Sequence, residues 1–165
     1  MNFFKPTFVK NLFILKRRFL TSGEKALALE VFGASLVVDN IEIKAHRLVL
    51  KDYAVSPNGH IYFHLQDWRE DFSLESVSIQ SWLIHELTHV WQIQQGIAVV
   101  QKALLDRRYH YVLQMGKAFS QYGVEQQAQM VQDYFIKSRQ GKNCEAYQQC
   151  IPFLAKACVS QNKIE

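Results

Sequence analysis

Apolar positions along this chain change their period several times, and each change marks an element. Thr21-Ser22-Gly23-Glu24 offers a cap and an early acid, Ala26, Leu27, Leu29, Val31 and Phe32 follow, and Gly33 closes the stretch, so a helix is predicted there. Val37 and Val38, and then Ile41 to Leu50, are rich in β-formers; Ile41, Ile43 and Ala45 alternate with Glu42, Lys44 and His46, the period of a strand. Ser56-Pro57-Asn58-Gly59 reads as a turn, and His60 to Leu65 as a second strand that pairs with the first near the following helix. Gln66 to Phe72 is a polar, aromatic loop. From Ser78 to Gly96 there is no proline or internal glycine, and Ile84, Leu87 and Trp91 fall at i, i+3 and i+7. That spacing predicts a capped helix whose back face, Trp91 included, is core, leaving the other face for a cleft. Ile97 to Leu105 fits helix and strand equally. Tyr109, Tyr111 and Leu113 alternate with His110, Val112 and Gln114, which predicts a short strand. Gly123 opens a second long helix ended by Gly141, with Val124, Ala128, Val131 and Phe135 as its apolar stripe. Residues 143–160 read as a last helix interrupted by Pro152. Residues 1–20, apolar and basic without clean period, read as an extended N-terminal arm or a short helix packed on the rest. The pattern predicts an α+β fold and a single domain over 1–165, with no repeat or linker to divide it.

Composition adds bounds. A chain of 165 residues with 48% hydrophobic and 13% aromatic content can bury a real core. The net charge of +4 is mild and gathers at Lys10, Lys16, Arg17 and Arg18; it lacks the dense basic, aromatic patch of a nucleic-acid groove. Cys144, Cys150 and Cys158 are odd in number and have no CxxC spacing, so reduced thiols in a cytoplasmic product are expected. Near the N-terminus the longest apolar run, Leu12 to Leu15, stops at Lys16. That is too short for a secretory leader or a membrane span. Export, if it occurs, is expected to use a leaderless route.

The chemistry sits in His85-Glu86-Leu87-Thr88-His89. On a helix, residues four apart share a face, so both imidazoles can reach one metal. Glu86 lies about 100° around the helix and can take a proton from water on that metal. This is the pattern of a zinc hydrolase, with two histidine ligands and a carboxylate base. A catalytic zinc needs a third protein ligand. His89 is followed by VWQIQQGIAVV, with no histidine until His110, so a nearby third histidine is excluded. Glu125 is the best-placed candidate: it starts the second long helix, off the apolar stripe, with polar Gln129 and Gln132 four and seven residues on. As a first-turn acid it also suits the helix dipole. His110, Asp106 and Asp133 remain alternatives. A hydrolase also gains from a donor to the developing oxyanion, and Tyr109, His110, Tyr111 and Tyr122 lie between the two helices in sequence.

The words LTSGEKALALEVFG, SPNGHIYFHL, DFS, WLIHELTHVWQIQQG and EQQAQMVQDYF occur in this order over residues 20–136. In this the chain resembles a family of small bacterial proteins described as Vgr-related or Rhs-element-associated zinc metallopeptidases, encoded near type VI secretion components. The resemblance implies a gluzincin-like fold: a small sheet packed on an HExxH helix, with a following helix that brings a glutamate ligand. It carries over His85, Glu86, His89 and Glu125. Gluzincins commonly place an aspartate four residues after that glutamate, bonded to a ligand histidine. Here the position is Gln129, whose amide can orient an imidazole but raises its basicity less.

The expected function is therefore zinc-dependent hydrolysis of a peptide bond in a protein or a cell-wall peptide, linked to a type VI locus. The alternative is a metal-stabilised module that contacts a spike or Rhs-type partner, since motif and fold do not establish turnover. Glu86 favours the enzyme, because a binding module has no need of a base.

Overall fold

Two short stretches of alternating residues form the middle of a four-stranded sheet in the computed structural model, which describes residues 13–105 and 108–154. Strands β2 (Glu42–His46) and β4 (Ile61–Phe63) run parallel, with Ile43 opposite Ile61 and Ala45 opposite Phe63. All four of those side chains are buried. Lys44, on the opposite face, is also buried; its ammonium meets Glu42 at 2.8 Å and lies over the Tyr62 ring. Parallel neighbours need a crossover. Here the connection passes outside β4, pairs antiparallel with it as β3 (Ala54–Val55), and returns through the Pro57–Gly59 turn. Gly59 has φ 81°, the left-handed region that a tight turn demands.

The fourth strand comes from the segment read as an arm or short helix. Ile14–Phe19 is β1, antiparallel to β2, giving the order β1-β2-β4-β3. Its middle side chains are exposed, so the strand is held by backbone pairing and leaves no core-facing period in the sequence. Lys10 and the rest of residues 1–12 lie outside the described residues. The β-rich run from Ile41 ends at His46; Leu48 and Leu50 are exposed in the turn that follows, and Val37 and Val38 are not strand.

Helix α1 (Ser22–Phe32) starts in a capping box: Thr21 accepts from the Glu24 amide, and Glu24 accepts from the Thr21 amide. Glu24 does more than cap. It is fully buried, accepts from the two terminal nitrogens of the Arg18 guanidinium at 2.7 and 2.6 Å, and accepts from the Phe72 amide at 2.8 Å. One carboxylate thus joins β1, α1 and the turn that leads into the long helix. The approach is close: a Cβ on Gly23 would lie 2.0 Å from Ser73 Oγ.

That long helix, α2, spans Val77–Gln94, with Ser76 rather than Ser78 at its N-cap. Ser76 makes no side-chain cap bond; Gln80 reaches back to the carbonyls of Ser73 and Glu75 instead. Gly96 ends the turn at φ 77°. The ambiguous stretch is helical, as α3 (Val99–Leu105). Residues 109–113 are extended but form no strand. No ladder runs beside them; the His110 carbonyl accepts from Gln126, and the Val112 carbonyl accepts from the Tyr122 hydroxyl. Helix α4 (Val124–Arg139) buries Val124, Ala128, Val131 and Phe135 as expected and packs on α2. Helix α5 (Glu145–Cys150) stops before Pro152, and residues 155–160, with Cys158, lie outside the described residues. Cys144 and Cys150 are free thiols. Trp91 is core, edge-on to Phe119 and Phe153. Among the described residues, no helix is long and apolar enough to cross a membrane.

Removing the carboxylate that joins these elements should be costly. Glu24→Ala strands a largely buried guanidinium (Arg18) and two backbone amides, so unfolding in urea should show a loss of about 3–5 kcal/mol. A loss under about 1 kcal/mol, the value of a surface ion pair, would refute the joining role.

Candidate metal centre

Helix α2 presents His85 and His89 on one face, one turn apart, with ring centroids 5.0 Å from each other. Helix α4 crosses that face with Glu125 in its first turn. Glu125 Oε2 lies 3.4 Å from His85 Nε2 and 3.2 Å from His89 Nε2. One ligand atom from each of the three residues falls within 4.8 Å of the others, and all three residues are buried. Zinc bonds of about 2.0–2.1 Å at tetrahedral angles set neighbouring ligand atoms about 3.3 Å apart, so the donor set fits such an ion.

The ring tautomers fit as well. His85 Nδ1 lies 3.1 Å from Gln132 Oε1, and His89 Nδ1 lies 2.8 Å from Gln92 Oε1. An amide oxygen only accepts, so each Nδ1 carries the proton and each Nε2 keeps its lone pair for a metal. The amides are themselves fixed. Gln92 Nε2 donates to the Val124 carbonyl and to Gln127 Oε1, and Gln127 donates to the Tyr122 carbonyl. Gln132 Nε2 donates to Ser81 Oγ, whose hydroxyl donates to the Ser78 carbonyl.

Charges in this enclosure are strongly coupled. Burial lowers the proton affinity of His89, but the Glu125 carboxylate and the charge of Glu86 outweigh it and lift the pKa to about 9. Burial raises that of Glu125, and the two imidazoles more than reverse this, holding it well below the usual carboxylate range. Acid should drive a metal off this site, because a protonated imidazole cannot ligate.

Glu86 is not one of the three clustered residues, though its charge acts on His89. Its Oε2 accepts from Ser56 Oγ at 2.8 Å, a buried bond to the residue that follows β3. The expected open cleft is narrower than the sequence suggested. His85, Glu86 and His89 are 7%, 4% and 6% exposed, so α2 is covered on this face too.

Among the donor candidates, Tyr109 is at the site: its ring centre is 6.0 Å from that of His85 and half of the residue is exposed. Burial and the carboxylates of Glu125 and Glu86 push its phenol pKa up, which keeps it a donor. Tyr122 is withdrawn as a candidate, because its hydroxyl is committed to the Val112 carbonyl and the Gln114 amide. Tyr111 is likewise occupied, donating to Asp133. His110 is exposed and stands outside the ligand cluster. Asp133 is outside the cluster too, and Asp106 lies outside the described residues. Gln129 does not take the orienting role expected of it. Its amide donates to Asp133 Oδ1, one turn further along α4, while Gln132 and Gln92 hold the two rings.

No family model matches the sequence. A type VI secretion system spike protein of Pseudomonas aeruginosa, VgrG2b, is 40% identical over 136 residues, which are 74% of this chain and 13% of that protein. The solved effector domain of Pseudomonas aeruginosa VgrG2b matches with a TM-score of 0.70 and 37% identity, over 80% of each chain. The chain belongs to the VgrG2b effector-domain family. Its fold and metal-ready cluster are therefore those of a chain related to a secretion effector, although it spans a small part of the whole spike protein.

Sequence reasoning missed Gln92, Gln132, Ser81 and Ser56. Gln92 was the most accessible of them, three residues after His89 on the same helix and so able to face it. Replacing it should be measurable: Gln92→Ala frees the His89 tautomer, and chelator competition should show metal affinity down about 10–100-fold. In the same assay Glu125→Ala should lose metal by more than that, and Asp133→Ala should retain it. Metal loss from the Asp133 variant alone would move the third ligand.

Proposed function

We propose that this chain is a zinc metallopeptidase effector domain of type VI secretion, gluzincin-like in its centre and continuous over residues 1–165. The observation that carries the reading is the convergence of His85, His89 and Glu125 beside a buried carboxylate that is not one of the three. Zinc bound there supplies a Lewis acid and an acidified water. Glu86 is the base: Ser56 occupies Oε2, so Oε1 accepts the water's proton and passes it to the leaving nitrogen. Tyr109 donates to the oxyanion that develops on the scissile carbonyl. The substrate is a peptide or protein, cell-wall peptides included. Relation to a spike protein supports delivery with a spike partner.

A second reading draws on one specific observation. Both ligand imidazoles are held by neutral amides rather than carboxylates, which leaves them less basic. That favours a catalytically weak, metal-stabilised module that contacts the spike.

The two readings separate in one experiment. Protein purified with zinc at neutral pH should hold one metal per chain and cleave a mixed peptide substrate. Glu86→Gln should keep the metal and lose turnover, and Tyr109→Phe should lower kcat by about 100-fold. A metal-loaded chain that cuts nothing, with Glu86→Gln indistinguishable from it, leaves only the binding module.

A further inference from the structure

Next to the metal centre lies a second concavity of about 570 Å³, with no part in the chemistry so far described. Tyr109, Tyr111 and Tyr147 form its aromatic walls, and Gln129 and Asp133 line it from α4. Tyr109 belongs to both places, since its ring also faces His85. Glu125, Gln129 and Asp133 follow at i, i+4 and i+8, so they form one polar ridge along the helix. The ridge begins at the ligand carboxylate and reaches Asp133 about 12 Å further on, at 1.5 Å per residue.

Asp133 is the acid on that wall. Its Oδ2 accepts from the Tyr111 hydroxyl at 2.5 Å, and that hydroxyl meets Tyr147 Oη at 3.1 Å. Its Oδ1 accepts from Gln129 Nε2 at 2.8 Å. Two donors fix the carboxylate, and each oxygen keeps further acceptor capacity. The aromatic wall already suits a cation: Lys137 Nζ lies 5.4 Å from the Tyr147 ring centre.

We propose that this cavity is a substrate subsite beside the scissile bond, selecting a long cationic side chain, lysine or arginine. The proposal rests on the peptidase reading for its place beside the reacting bond. Length is favoured by the ridge: Asp133 stands about 12 Å from the ligand end, further than any single side chain spans, so the peptide backbone covers part of the way and a long stem closes the remainder. Charge is set by Asp133, which repels acidic side chains and gains a partner from basic ones. The tyrosine faces cover the aliphatic stem and attract its charged end.

The test uses zinc-loaded Glu86→Gln protein as a non-cleaving binder. Two fluorescent pentapeptides, Ala-Ala-Lys-Ala-Ala and its norleucine twin, are titrated by anisotropy. The lysine peptide should bind about tenfold tighter. Adding Asp133→Asn should erase that difference. So should adding Gln129→Lys, which retains Asp133 and sets a cation beside it. Affinity for the norleucine peptide should stay the same throughout. Equal binding of the twins to the parent, or a lysine preference that survives both changes, overturns the subsite. Cleavage by the unsubstituted enzyme is scored separately. Selective binding without any cleavage would retire the peptidase reading and leave the cationic subsite standing.

Discussion

Helix α2 is buried all round its middle, from Leu83 to Gln92, yet this stretch carries two histidines, a glutamate, a threonine and a glutamine. Each such group costs free energy in a dry interior unless it finds a partner. That constraint explains much of what surrounds the helix. Thr88 turns its hydroxyl back to the Ile84 carbonyl. Gln92 binds the start of α4 and so fixes where Glu125 arrives. Gln132, two turns along α4, takes the other imidazole and ties back to α2 through Ser81. Glu86 is met by Ser56, the residue after β3. On this helix the Trp91 indole nitrogen is the buried polar atom with no partner among the described residues. Packing of α4 against α2 is thus a polar lock set within an apolar contact.

Glu24 plays a similar part at the other end of the molecule. Burying it is tolerable because four donors from three segments reach it. It anchors the turn from which α2 departs, so the metal-facing helix is referenced to the sheet at its start and to α4 along its length.

What the sequence made legible was mostly local. His85 and His89 share a helix, so their spacing alone carries geometry. The stripe of α4 and the capping box at Thr21 are local in the same sense. Glu125 needed a pairing of distant segments; chemistry favoured it, but Asp133 and His110 differed from it only in where the chain would place them. Gln132 and Ser56 lie in the stretches EQQAQMVQDYF and SPNGHIYFHL, but they are 47 and 30 residues from their partners, and nothing local shows which distant side chain each will meet. Strand β1 was hidden because backbone pairing holds it and, Ile14 and Arg18 apart, its side chains are exposed. The alternation of Tyr109, Tyr111 and Leu113 misled for the opposite reason: it reflects side chains fitted to neighbouring concavities and α4, with no strand beside them to make a sheet.

The bond between Ser56 and Glu86 separates two properties that are often measured as one. The ligands are held by a pair of helices, whereas the carboxylate beside them depends on a hairpin whose outer strand has two residues. Decay of that hairpin through drift in the Pro57–Gly59 turn would leave the helices, and the cluster between them, intact. An intact set of three clustered side chains is therefore no guarantee that the carboxylate beside them is in place.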